Sequence, residues 1–222
     1  VSARRPSPKD SLYVIGVTGG IASGKSTFVR ILESHASCVT IDADRIGHAV
    51  LEDPNVARAL ALEFGADVLD GAGRVDRGRL GPRAFASPER LATLNRIVHP
   101  PLLTRALAAI AAEAEKGHAG MCVLDAALLV EWDAGRWCDR VVTVLADPAR
   151  QVEFLVARAG LTQDDAARRV ALQLPNEARA AYADDVLVND GALAEFEARA
   201  VALADALAAR ARAELAARAV VR

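Results

Sequence analysis

Short uninterrupted apolar runs alternate along this chain with longer stretches whose apolar residues recur every three or four positions, the patterns of buried strands and of helices packed on one face. The runs are Leu12 to Val17, Cys38-Val39-Thr40-Ile41, Met121-Cys122-Val123-Leu124-Asp125, Val141-Val142-Thr143-Val144-Leu145 and Asp185-Val186-Leu187-Val188. They predict five strands of a parallel sheet, because strands covered on both faces carry no polar alternation. Helices are expected from about Phe28 to His35, over Val56 to Phe64, Arg77 to Phe85, Ser87 to Ile97 and Pro101 to Lys116, and from Pro148 to Arg158. A last one covers Leu193 to Ala217 and is expected to pack on the sheet. Ser87 before Pro88 supplies an N-cap with proline at the first helical position, and Thr162-Gln163-Asp164-Asp165 reads as a capping box.

Alternating strands and helices define an α/β protein. The alternation stops between Glu52 and Gly117, where helices follow one another without strands. Residues 52–118 therefore read as a helical block inserted into a core made of residues 11–51, 119–157 and 183–222. Residues 158–182 carry Arg158, Arg168, Arg169 and Arg179 on short helices and are expected to form a mobile lid. Residues 1–10 read as a disordered tail.

The bulk numbers exclude several classes. A net charge of −2 over 222 residues, with a pI near 6.1, gives no basic field for nucleic acid. No apolar run is long enough to cross a membrane, and Val1 to Asp10 lacks the apolar core of a signal peptide. The three cysteines, Cys38, Cys122 and Cys138, are odd in number and without metal-type spacing, so reduced thiols in a cytoplasmic protein are expected. Oligomeric state stays open.

Chemistry concentrates at Gly19-Gly20-Ile21-Ala22-Ser23-Gly24-Lys25-Ser26-Thr27, which reads Gly-x-x-x-x-Gly-Lys-Ser and joins the first strand to the first helix. A helix N-terminus offers unpaired N–H groups and the positive end of a dipole to phosphate oxygens. Glycine lets the backbone approach closely, Lys25 reaches the outer phosphates, and the Ser26 hydroxyl is a candidate ligand for Mg²⁺. The pattern arises by chance in such a chain roughly one time in a thousand, multiplying residue frequencies over starting positions. Lysine occurs only at positions 9, 25 and 116, so a guanine-reading Asn-Lys-x-Asp segment is absent. Asp42 and Asp44 end the second apolar run, where open parallel sheets bind ligands, and suit a base or orienting group for an acceptor hydroxyl. Asp125 ends an apolar run as a Walker-B aspartate does. These residues point to ATP-dependent phosphoryl transfer to a small acceptor, with a nucleotide-dependent regulatory module as the alternative.

The whole set resembles the dephospho-CoA kinases. The resemblance is carried by Val17 to Thr27, Ile41-Asp42-Ala43-Asp44, Asp76-Arg77-x-x-Leu80 with Phe85, His99-Pro100, Leu128-Leu129-Val130-Glu131, Gln173, and Ala183-Asp184-Asp185-Val186 with Asn189 and Gly191. It implies a P-loop NTPase fold of three α/β/α layers, with a helical CoA-binding block at 52–118 and the lid at 158–182. It also implies ATP with Mg²⁺, and phosphorylation of the ribose 3′-hydroxyl of dephospho-CoA. Asp44 corresponds to the general base and Lys25 to the phosphoryl-stabilising cation. Thr18 and Asp42 line the acceptor and metal region, Arg77 and His99 belong to the CoA-binding block, Arg158 closes on ATP, and Asn189 approaches the adenine. The chain departs from the family at Ala127, where proline is usual, at Phe154, where arginine is frequent, and at Val188, where aspartate is.

Overall fold

A computed structural model describes residues 11–220; the tail expected at 1–10 lies outside the described residues. The strands are β1 (Leu12–Gly19), β2 (Val39–Asp42), β3 (Gly120–Asp125), β4 (Arg140–Ala146) and β5 (Asp185–Asn189). They form one sheet in the order β2-β3-β1-β4-β5, and β1 runs parallel to β3 and β4, as β4 does to β5. The five apolar runs thus become the five strands. β1 is buried along its whole length, as a central strand with an unbroken apolar run must be. Since β2 and β4 lie on opposite sides of β1, the chain reverses its direction of winding there, and the crevice beyond the carboxyl end of β1 is where such sheets take ligands.

The helices are α1 (Lys25–His35), α2 (Ala43–Leu51), α3 (Pro54–Phe64), α4 (Arg77–Ala84), α5 (Pro88–Glu115), α6 (Pro148–Ala159), α7 (Gln163–Ala171), α8 (Asn176–Tyr182) and α9 (Leu193–Val220), with short 3-10 turns at Ala66–Val68 and Ala134–Trp137. The described chain divides into two compact units, Asp42–Ala109 and the remainder. In the sheet-bearing unit, Ile15, Val17, Val142, Val144 and Leu187 pack with Phe28 and Leu32 of α1 and with Phe196, Ala200, Ala204 and Leu207 of α9. The three- and four-residue spacing along α9 makes one buried stripe, and its alanines let the helix lie close to the strands.

One expectation is corrected. His99-Pro100-Pro101 was expected to separate two helices, yet α5 runs through it unbroken. The prolines remove two helical N–H donors at a cost of about 3 kcal/mol or more, and the Thr104 hydroxyl, at 3.0 Å, donates to the Pro100 carbonyl. Leu102, Ala106 and Ile110 on the following turns are buried, so packing holds helical backbone that propensity alone would end.

The Asp42–Ala109 unit is stapled by charge. Asp53 caps α3 through the Asn55 N–H and pairs with Arg105 at 2.7 Å. Arg83 bonds both Asp67 carboxylate oxygens and the Phe64 carbonyl, and Arg90 stacks over the Phe64 ring, 4.6 Å from its centroid.

Phe196 is fully buried where α1, α9 and the sheet meet. Phe196→Ala is expected to cost ~3–5 kcal/mol, read as a lowered midpoint in thermal or urea unfolding.

Candidate active site

The loop between β1 and α1 is built to leave a helix end open. Gly24 precedes α1 at φ 99°, and no side chain caps the helix. The Lys25 and Ser26 N–H groups therefore face an incoming anion with the dipole behind them, while those of Thr27 and Phe28 bond the Gly24 carbonyl. A Cβ on Gly24 would lie 2.8 Å from Asn189 Nδ2 and 3.2 Å from the Phe196 ring, and one on Gly19 would lie 2.7 Å from the Val144 carbonyl. Glycine is required at both. The Ser23 hydroxyl is buried and has no hydrogen-bond partner among the described residues, a group that a phosphate oxygen would satisfy.

Lys25 pairs with Asp125 at the end of β3; Asp125 lies in register with Val17 on β1. Their side chains are 13% and 19% exposed, so the pair is shielded enough to hold the ammonium at the sheet edge while leaving it within reach of a ligand.

Three long-range contacts hold the loop. Asn189 Nδ2 donates to the Ser23 carbonyl at 3.0 Å. The Ile21 N–H donates to Gln173 Oε1 at 2.7 Å, and Gln151 Nε2 donates to the Ile21 carbonyl at 2.7 Å. Asn189, assigned by resemblance to the adenine side, therefore also touches the loop backbone. Gln151 carried no sequence signal, and Gln173 was marked only as part of the resemblance.

Thr18 is fully buried, and its hydroxyl donates to the Ala127 carbonyl at 3.0 Å while accepting from Arg179 at 3.3 Å. Arg179 also reaches the Ala127 carbonyl at 3.2 Å and Glu131 at 3.1 Å. Although expected among the lid arginines, it is 1% exposed and wired to the entry of the phosphate loop. Arg158 is exposed at the end of α6 with its guanidinium 5.2 Å from the Phe154 ring centroid. Arg168 pairs with Asp165 on the surface of α7; Thr162 caps that helix by accepting from the Asp165 N–H, while the Asp165 carboxylate takes the Thr162 hydroxyl instead of closing a capping box on its N–H.

The other unit holds the remaining candidates. Asp42 is the N-cap of α2, accepting from the Arg45 N–H at 2.9 Å, and Asp44 is exposed in the first turn. Arg77 is exposed at the start of α4, while the capping Asp76 pairs with Arg79 at 3.1 Å. His99 is half-buried within α5, and burial pulls its pKa down from 6.5 to about 4. It is neutral at pH 7 and offers hydrogen bonds rather than charge.

Residues 13–195 match the family model described as dephospho-CoA kinase. The Corynebacterium glutamicum dephospho-CoA kinase is 41% identical over 187 residues, covering 84% of this chain and 92% of that protein. The Streptomyces avermitilis dephospho-CoA kinase is 42% identical over 189 residues, covering 83% and 89%. Among solved structures, a Thermus thermophilus protein superposes with a TM-score of 0.71 at 31% identity, over 87% of this chain and 96% of that one. A Campylobacter jejuni dephospho-CoA kinase superposes at 0.55 with 24% identity, over 89% and 98%, a likeness of fold.

Because folding favours neutral His99, its contribution to stability is complete above pH 6.5 and is lost as pH falls toward 4. Between those values the unfolding midpoint of the unsubstituted chain is expected to fall more than that of His99→Gln, measured by thermal melts across the range.

Proposed function

The chain belongs to the dephospho-CoA kinase family, and on that premise we propose that it moves the γ-phosphoryl of ATP to the ribose 3′-hydroxyl of dephospho-CoA, giving coenzyme A and ADP. The observation that carries the donor half is the uncapped N-terminus of α1 with Lys25 held on Asp125. The acceptor half rests on the family match over residues 13–195.

In this reading a bond forms from the 3′ oxygen to the γ phosphorus as the bond from that phosphorus to the β–γ bridging oxygen breaks. The hydroxyl proton passes to a carboxylate, which we assign to Asp44, exposed on the first turn of α2. Asp42 fixes that turn as its N-cap. The backbone N–H groups of Ala22, Gly24, Lys25 and Ser26, with the Ser23 hydroxyl, receive the β- and γ-phosphates, since those of Ile21, Ser23 and Thr27 are already bonded within the protein. Lys25 leaves Asp125 for the outer phosphates, where its charge counts most as negative charge gathers on the leaving oxygen. Thr18, whose hydroxyl is fully engaged, holds the loop entrance. Arg158 closes on ATP from α6, Asn189 borders the adenine, and Arg77 and neutral His99 contact the CoA portion.

The donors suit Mg²⁺. Ser26 and Asp125 supply oxygen ligands, and no cage of three or more His, Cys, Asp or Glu gathers among the described residues, as fits an ion held mainly by phosphates and a few protein oxygens. When bound, Mg²⁺ neutralises charge on the β- and γ-phosphate oxygens. Among the described residues no helix is long and apolar enough to cross a membrane.

A coupled ADP-release assay with dephospho-CoA set against adenosine, nucleoside monophosphates, shikimate and gluconate tests the reading. Turnover is expected with dephospho-CoA; turnover of another acceptor in its place would overturn the assignment. Asp44→Asn is expected to lower kcat by roughly two to four orders of magnitude while ADP binding persists. Near-normal kcat would make Asp44 structural.

A further inference from the structure

We propose that Gln151 and Gln173 are positioning residues of the phosphate loop, two carboxamides that bond the carbonyl and the N–H of Ile21 and hold Ala22 in a left-handed conformation. The inference rests on the donor reading above and names residues to which nothing in that reading gives a task.

Ala22 has φ 58°. Residues with a Cβ avoid this region, because the Cβ crowds the following carbonyl, and such strain persists only where surrounding contacts enforce it. Both polar groups of the preceding residue are bonded. The Ile21 carbonyl accepts from Gln151 Nε2 and the Ile21 N–H donates to Gln173 Oε1, each at 2.7 Å. The carbonyl belongs to the same peptide plane as the Ala22 nitrogen, and the next plane is held by the Ser23 N–H on the Gly20 carbonyl at 3.1 Å; with both planes fixed, the backbone angles of Ala22 between them are set. An N–H can only donate and a carbonyl can only accept, so both amide orientations are set by the backbone they meet.

The grip comes from two separate elements. Gln151 is buried on α6, and Gln173 sits in the turn between α7 and α8, its own N–H bonded to the Val170 carbonyl at 3.1 Å. They close over Gly20, where an added Cβ would lie 2.8 Å from Gln151 Nε2 and 3.0 Å from Gln173 Oε1. All three residues line a cavity of about 470 Å³ walled by α6, α7 and the start of α8. A ligand entering there meets a loop whose shape is already decided.

The test reads binding, not turnover: calorimetric Kd for ADP with the unsubstituted chain, with Gln151→Ala and Gln173→Ala, and with each combined with Ala22→Gly. Each Gln→Ala change is expected to weaken ADP about tenfold, the worth of one good hydrogen bond. In the Ala22→Gly background the loss should shrink to about twofold, because glycine adopts positive φ without enforcement. Equal losses in the two backgrounds, or none in either, would overturn the proposal. A second pair adds the same charge in both arms: Gln173→Glu keeps an acceptor for the Ile21 N–H, whereas Gln151→Glu sets a carboxylate against the Ile21 carbonyl. Gln173→Glu should bind ADP about tenfold more tightly than Gln151→Glu, and equal binding would again overturn it. If the buried Gln151 variants do not fold, the Gln173→Ala pair decides alone. Failure of the unsubstituted chain to bind ADP would strike the donor reading itself, before any variant is compared.

Discussion

The leading N–H groups of α1 must stay unsatisfied while the loop that feeds them is half-buried, and much of the sheet-bearing unit follows from that demand. Backbone N–H groups left open are costly unless water or a ligand meets them, so the loop cannot be allowed to relax and close over them. β1 anchors one end by running buried through the centre of the sheet. Phe196 and Asn189 stand against Gly24, and Asn189 ties down the Ser23 carbonyl. Arg179 and the Ala127 carbonyl fix Thr18 at the entrance. These partners come from β5, α8, α9 and the segment after β3, so the loop is shaped by the fold around it rather than by its own glycines.

Charge is divided between two cations with different work. Arginine supplies the fixed crosslinks: Arg140 grips Asp185 with two bonds between β4 and β5, Arg218 holds Asp139 at 2.6 Å while that carboxylate also accepts from the Val14 N–H, and Arg179 joins Glu131 to the loop entrance. Its planar fork suits bonds that need not move. Lysine stands at the loop, where the donor reading proposed above has it change partners. A compact ammonium on a flexible stem can leave a carboxylate for a phosphate without breaking a bidentate geometry.

How much of this was legible in the sequence depended on the range of the interaction. The strands were legible because each is a continuous apolar run, and the phosphate loop because all its chemistry lies within nine residues. Thr162 was readable as a cap, since a cap bonds its own first turn. His99-Pro100-Pro101 misled because local propensity opposes a helix there, and burial of Leu102, Ala106 and Ile110 overrides it. Gln151 and Gln173 left no local trace: they meet Ile21 across 130 and 152 positions of sequence. Arg179 read as a lid arginine for the same reason, since its partners Thr18, Ala127 and Glu131 lie far back along the chain.

Asn189 donates to the Ser23 carbonyl across 166 positions, and that contact carries a consequence for synthesis. A nascent chain that stops short of β5 already contains every residue of the nucleotide loop, yet lacks the side chain that pins its backbone and the Phe196 ring that backs Gly24. On the ribosome such a contact cannot form until β5 and the start of α9 have been made. The anion cradle is thus one of the last features to mature, and a ribosome-bound fragment has little means of sequestering nucleotide before the sheet that makes use of it is complete.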